Sequence, residues 1–494
     1  MNLTKKILGL SLVAAMSVSS MYADDSGGGK KSLENRIQEL EAKLKDTGYT
    51  GVKGSGIKIS GYVDTSYTVN LADKDNSGPS AGGSQVVSGV AGTTTGPGNT
   101  GRVFDRQFDS FNLNAVKLTI EKDKDTSKFP AGFRVDTIYG NDATVINGSN
   151  NQGAAANDSE FAVEQAYITL GVPIGNGVDV KFGKMVTLLG YEVIESPANW
   201  QFSRSDAFRL APMTQTGVTL GYKWNDYLTS TVGVINGWDS TSGTGNATAA
   251  NTIIGSGNRD QNLSFIGRLD ASAPKTSIGE FNAFVASLYG NDIVSPSTVV
   301  AGTGVPAATT FSTGEQFIWN IGGTWNKPFE VKEMALGIDY LYRSETANLQ
   351  GYAGTPAATS FANIDASALS AYGKWDWNKW LTSSGRFSYS WYKNANVSSG
   401  VGGAVTQESL GPLAVPSVAG VNGFIPQKTD NFSFTLTQAF NVWKDTLIRL
   451  EWRRDWTTAG AVGFGSAGTS ATGIAGSDIR QTQDTVAVNL VYSF

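Results

Sequence analysis

The chain contains no cysteine and no histidine in 494 residues. Without cysteine there is neither a disulfide framework nor anchoring through a lipidated Cys. Without histidine, Ser-His and Cys-His nucleophile pairs and His-ligated metal centres are excluded. Charge is sparse too, at 16% of residues, and the formal net charge of −5 becomes −7 once Lys5 and Lys6 are removed with a leader, which does not suit a nucleic-acid partner. After Val18 no segment is apolar enough to be a membrane helix. No Lys-Ser/Thr follows a Gly-rich turn opening a helix, so the Gly-Ser-Gly stretches are not phosphate loops. Acidic pairs such as Glu192 with Glu195 could do acid/base work, yet charged loops are far commoner than active ones. No catalytic residue, metal site or cofactor is expected.

What is abundant is glycine, at 59 residues, with aromatics at 11% and hydrophobics at 40%, and a mean hydropathy of only −0.16. This profile favours strands and turns over helices. At the N-terminus, Lys5 and Lys6, the apolar stretch from Ile7 to Val18 and the small-residue site Met21-Tyr22-Ala23 read as a signal peptide over 1–23. The apolar run is too short for a spanning helix, which needs roughly 20 residues. A linker follows at 24–54, with one helical passage at 32–46. Ser32 can cap it, and Leu33, Ile37, Leu40 and Leu44 recur at coiled-coil spacing. It suits either a short coiled coil that associates subunits, three being one such assembly, or a solvated linker helix.

From residue 55 to 494 the pattern changes to period two. Ile57, Ile59, Val63, Tyr67 and Val69 alternate with Lys58, Ser60, Tyr62, Asp64, Ser66, Thr68 and Asn70. The same alternation recurs in Phe317, Trp319 and Ile321, in Leu336, Ile338 and Tyr340, and in Phe432, Phe434 and Leu436. Sixteen such runs can be counted, from 55–71 through 226–237, 278–290, 315–326, 333–345 and 367–377 to 482–494. The connections after even-numbered runs are short, down to Asn225 alone, while those after odd-numbered runs are long and rich in Gly, Ser, Thr, Ala and Asn. Strict alternation of this kind is the habit of outer-membrane barrels, whose short turns are periplasmic and whose long loops are external. The fold class expected is an all-β, up-and-down antiparallel transmembrane barrel of about sixteen strands, with both termini periplasmic and outer-membrane lipid as its medium. Trp224, Trp325, Trp375, Trp377, Trp380 and Trp443 gather at the short-turn end, and Trp238, Trp391 and Trp456 at the other, as two interfacial girdles. Trp-Asn-Asp-Tyr-Leu at 224–228 and Trp-Asn-Lys-Trp-Leu at 377–381 repeat one turn design.

Sixteen strands enclose a space wide enough for water. The expected wall includes Lys58, Asp64, Lys117, Lys181, Lys223, Asp339, Arg343, Arg386, Arg449, Glu451, Arg453 and Asp455. Arg449, Glu451, Arg453 and Asp455 alternate in sign on one face of a strand, and four charges facing lipid would cost several kcal/mol each, so they are expected to face water, either selecting solutes or pairing on the wall. The loop at 186–213 differs from the other long loops in having one glycine and many aromatic, proline and charged residues. It looks built to pack. Glu192, Glu195, Arg204, Asp206 and Arg209 are its candidates for a constriction; the other reading is a loop packed at the mouth or at a subunit contact.

The last run sets Val486, Val488, Leu490, Tyr492 and Phe494 against Thr485, Ala487, Asn489, Val491 and Ser493, and it ends on the aromatic. Leu490, Tyr492 and Phe494 resemble the C-terminal signal by which outer-membrane barrels are handed to the barrel-assembly machinery. The run from Gln165-Ala166-Tyr167 to Lys184, then Gly190 to Pro197, Ser203-Arg204-Ser205 and Ala211-Pro212 to Val218, resembles the OmpL-like β-barrel porin family. Gly61-Tyr62-Val63-Asp64 and Phe108 to Leu118 are similar to it as well. The resemblance implies a Gram-negative-type outer-membrane barrel with channel activity for small hydrophilic solutes or ions. A second reading makes the barrel a scaffold whose long loops, near 72–107, 346–366 and 394–429, serve adhesion.

Overall fold

The computed structural model describes residues 56–71, 99, 102–125, 127–148, 160–236, 263–298, 309–349, 360–394, 428–457 and 482–494. The expected leader at 1–23, the 24–54 linker with its 32–46 helix, and Trp238 lie outside these residues. The first eight strands are β1 (Ile57–Asn70), β2 (Ser110–Lys122), β3 (Ala131–Tyr139), β4 (Phe161–Val172), β5 (Val178–Val186), β6 (Thr214–Lys223), β7 (Leu228–Asn236) and β8 (Leu263–Thr276). The remainder are β9 (Gly279–Thr298), β10 (Thr309–Asn326), β11 (Met334–Leu349), β12 (Ser360–Asp376), β13 (Leu381–Asn394), β14 (Lys428–Phe440), β15 (Thr446–Thr457) and β16 (Thr482–Ser493). Each pairs antiparallel with its neighbours in sequence, and β1 pairs with β16 to close the barrel. Closure satisfies the backbone all round, which is the condition for strands to cross lipid.

Alternation decides which face is which. In β16, Gln483, Thr485, Ala487, Asn489 and Val491 are buried inside, while Val486, Val488, Leu490 and Tyr492 are exposed outside. The outer face of other strands is likewise apolar, with Ile168 on β4, Phe182 on β5, Ile338 on β11 and Leu436 on β14 all exposed. At the long-loop end Tyr389, Phe432 and Trp456 stack across β13, β14 and β15 with centroid spacings of 4.7 and 5.3 Å, a flat aromatic ledge that belongs at a membrane interface. No helix among the described residues is long and apolar enough to cross a membrane.

The sixteen expected runs all form strands. β9 to β12 reach further than the alternation indicated, to Thr298 and Leu349 and back from Thr309 and Ser360. Their extensions pair through the backbone, and the polar sequence there offers no apolar period to read. β7 begins at Leu228 rather than 226, because the reversal occupies 224–227. That turn and the one at 377–380 are the same structure. In each, Asn225 or Asn378 Oδ1 accepts the N–H two residues on, at 2.8 and 2.9 Å, and the first Trp indole donates to Ser230 or Ser383, at 2.9 and 2.7 Å. The Asx turn fixes the tight reversal, and the indole bond fastens the aromatic to its own strand.

Candidate functional site: the loop inside the barrel

Two β-bulges prepare the inner wall. The register slips where Asp64 and Thr65 meet Ala115 and Leu113, and again where Asp136 and Thr137 meet Gln165 and Val163. A bulge sets two successive side chains against one partner, so Asn114 joins Ala115 inside, and Glu164 joins Gln165. Asn114 then donates to Asp64 at 2.7 Å, which also accepts from Asn489 at 2.6 Å, tying β1 to both neighbours across the closing seam.

The loop at 187–213 leaves β5, enters the barrel and is held there by its backbone. Gly190 N–H donates to Asn320 on β10 at 2.7 Å, and the Phe202 and Ser203 N–H groups donate to the Glu451 carboxylate on β15 at 2.7 and 2.9 Å. Its carbonyls are capped by wall guanidinium groups: Arg268 donates to Leu188, Arg386 to Ser203 and Arg204, Arg449 to Ser196, Asn199 and Gln201, and Arg453 to Arg204. Bonds of this kind contribute roughly 1.5–3 kcal/mol each where the charged donor is buried, as at Arg386, Arg449 and Arg453. Glu192 takes the ion pair with Arg386 at 2.7 Å and the Ser205 N–H at 2.7 Å; Ser205 in turn caps α1 (Asp206–Leu210). Arg204 lies within the loop and donates to the carbonyls of Val193, Phe202 and Ile194.

Apolar packing backs these bonds. Leu189, Ala207 and Leu210 sit on an inward apolar patch of Ile235, Ile266, Phe284, Leu288, Ile318 and Leu341. On the other side Ile194 and Phe208 pack with Val103 and Phe104 of the β1–β2 loop and with Ala143, Val145 and Ile146, which lie in a helix at Asn141–Gly148 over β2 to β4. The lumen at this level therefore holds two small cores, one on each side of the loop.

The tightest polar group is at Lys117. Its ammonium lies 3.2 Å from Asp136, 2.9 Å from Glu164 and 2.7 Å from Glu195, and the first two carboxylates are fully buried. Three carboxylate oxygens within 4.8 Å of one another have the geometry of a cation site, and Lys117 supplies the cation. Burial alone would push the Glu195 carboxyl up, but the Lys117 ammonium outweighs it and holds the group below the ordinary carboxylate range.

Residues 56–494 match the model of a family described as "Putative beta-barrel porin-2, OmpL-like". The chain belongs to that family. It is an outer-membrane porin, a diffusion channel and not an enzyme. Among solved structures the porin is similar to the outer membrane channel DcaP of Acinetobacter baumannii, at TM-score 0.48 and 11% identity over 90% of this chain and 99% of that one. It is similar also to an anion-selective porin from Comamonas acidovorans, at 0.48 and 11% over 89% and 99%, and to OprB of Pseudomonas putida, at 0.46 and 10% over 93% and 97%. No curated protein matches the sequence.

The twelve expected wall residues of the porin fall into two sets. Asp64, Lys117, Asp339, Arg343, Arg386, Arg449, Glu451, Arg453 and Asp455 are buried, whereas Lys58, Lys181 and Lys223 keep contact with water. The expectation that Arg449 to Asp455 face water does not hold. They point inward, but the 187–213 loop and Arg102 of the β1–β2 loop lie on them; Arg102 donates to Asp455 at 2.6 Å. The loop candidates are braced as well: Asp206 pairs with Arg209 at 3.1 Å and accepts from Ser390, and Glu195 pairs with Lys117. Sequence reasoning missed Asp136, Glu164, Arg102, Arg134, Arg268 and Lys374. A signal existed for several of them. Arg134-x-Asp136, Arg268-x-Asp270 and Lys374-x-Asp376 repeat the spacing of Arg453-x-Asp455, and all four pair on one face, at 3.0, 2.9, 3.0 and 2.9 Å.

Proposed function

We propose that small hydrophilic solutes cross the outer membrane by passive diffusion through this barrel, and that the loop at 187–213 is its constriction. The observation that carries the reading is the loop itself, drawn into the lumen and bonded to β10 on one side and to β15 on the other. A free mouth loop has no need of four wall arginines. Glu192, Glu195, Arg204, Asp206 and Arg209 act in this reading as braces that set the loop's position, and the transverse field falls to the charges left wet.

The short turns and both termini are assigned to the periplasm, as the alternation of connections supports. Leu490, Tyr492 and Phe494 form the signal read by the barrel-assembly machinery; Phe494 exchanges backbone bonds with Gly61 at 2.9 and 3.0 Å and stays exposed on the outer face. Three subunits associate through the heptad seam at 32–46. Planar-bilayer recording of the purified porin tests the channel. Stable stepwise openings are expected, and a sealed barrel would favour the adhesive scaffold. Chemical cross-linking before and after removal of residues 24–54 tests the assembly.

A further inference from the structure

The inner wall is not equally wet all round. On β4 to β8 most inward positions keep contact with water as far up as Tyr167, Gly183, Gly217, Gly233 and Arg268, the buried Thr219 and Thr229 being exceptions. On β12, β13, β15 and β16 contact stops near the short turns, at Lys374, Thr382, Leu447 and Ser493, and the inward residues above them, back to Ala366 on β12, up to Ser390 on β13 and along β15 and β16, are buried. The wet strip is lined by small residues. Thr169, Gly221 and Thr231 share its face with Lys181, and a Cβ built on Gly221 would touch Asp179 and Thr231 only at ordinary van der Waals distance, 3.8 Å, so the strip is not filled by side chains there.

Charge on this strip is unbalanced at one place. The other wet bases of the inner wall are neutralised by neighbours: Lys58 by Asp123, Arg134 by Asp136, Lys223 by Asp226, Arg268 by Asp270 and Lys374 by Asp376. Lys181 is different. Among the described residues no carboxylate lies within 4.0 Å of its ammonium, which stands 5.0 Å over the Tyr167 ring. Asp179, two residues away on the same face, attracts this ammonium but is itself ion-paired with Lys124, so a net positive charge remains on the groove. A net charge in a narrow aqueous groove with low-dielectric walls concentrates counter-ions along it.

We infer that the permeation path of this porin is off-centre, rising along the β4–β8 wall past the stems of the loop, and that Lys181 gives it a preference for anionic solutes. The inference rests on the channel reading above. Gly221 and its neighbours leave the width, Lys181 supplies the sign, and the arginines of β13 and β15 take no part because loop carbonyls cover them.

The test is single-channel recording in planar bilayers under a KCl gradient, with heat-modifiable gel migration confirming that each variant is folded. The wild-type reversal potential is expected on the chloride side. Lys181→Gln should move it toward zero, Lys181→Glu should carry it to the potassium side, and Lys379→Gln, in a short turn, should leave it unchanged. Gly221→Trp should lower the conductance several-fold. Reversal potentials that ignore both Lys181 variants overturn the selectivity assignment, and full conductance in Gly221→Trp overturns the path. A wild-type porin that never conducts would instead remove the channel reading itself.

Discussion

The wall formed by β13 to β16 and the wall formed by β4 to β8 are built from the same alternation, yet they have become different materials. On the first, Arg386, Arg449 and Arg453 are buried and aim their donors at loop carbonyls. On the second, Lys181 remains wet among threonines and glycines, and Arg268, half-buried, is the one base that also reaches a loop carbonyl, at Leu188. The strand pattern says only that a side chain points inward. What covers it decides whether it holds the fold together or meets a solute.

The sharpest way to break this comparison is to remove a charge from each kind of site. Lys117→Met leaves Asp136, Glu164 and Glu195 buried with no cation among them. Losing one partner of a buried ionic group costs roughly 3–5 kcal/mol, so urea refolding in detergent should show a large loss of stability, with Lys117→Arg retaining most of it. Arg449→Met should cost roughly 3 kcal/mol by stranding the carbonyls of Ser196, Asn199 and Gln201, and should make channel recordings noisier as the loop loosens. Lys181→Gln, on the open wall, should change stability by less than about 0.5 kcal/mol. Equal costs for Arg449 and Lys181 would abolish the distinction.

The closing seam gives a smaller effect on stability and a larger one on yield. Gly61 has no room for a side chain because the Lys117 backbone carbonyl and the Phe494 ring occupy that place, the ring 2.6 Å from where a Cβ would stand. Deleting Phe494 removes the ring and two backbone bonds to Gly61, and should reduce the amount of barrel reaching the outer membrane, measured by fractionation, while channels that do form keep their conductance.

Much of this was legible in the chain. Tyr62, Asp64, Ser66 and Thr68 announce an inward face by parity alone, and the paired Trp-Asn turns announce their shared design. The distinctiveness of 186–213 is also visible, since a loop with one glycine and many aromatics is built to bury them. Where it packs is not visible. Its partners Asn320, Arg386, Glu451 and Lys117 are remote in sequence, and no local pattern links them. Glu164 was hidden for another reason. The bulge at Asp136 and Thr137 breaks period two at that residue, so counting alternate positions cannot assign both Glu164 and Gln165 to the same face.

The smallest expected effect concerns pH, and it separates the braced wall from the wet one. Lys117 holds Glu195 below the ordinary carboxylate value of about 4.3. A group depressed in the folded state stabilises it fully above the unfolded value, and that contribution is lost as pH falls through the folded value. The Glu195 anchor should therefore be constant from neutral pH to about 5 and weaken only below about 4. Open-channel noise recorded across that range should stay flat and then rise on the acid side. Glu195→Gln should remove part of the acid rise while leaving the reversal potential set by Lys181 in place. A steep change between pH 7 and about 5 would show that the loop is held by a weaker acid than Glu195.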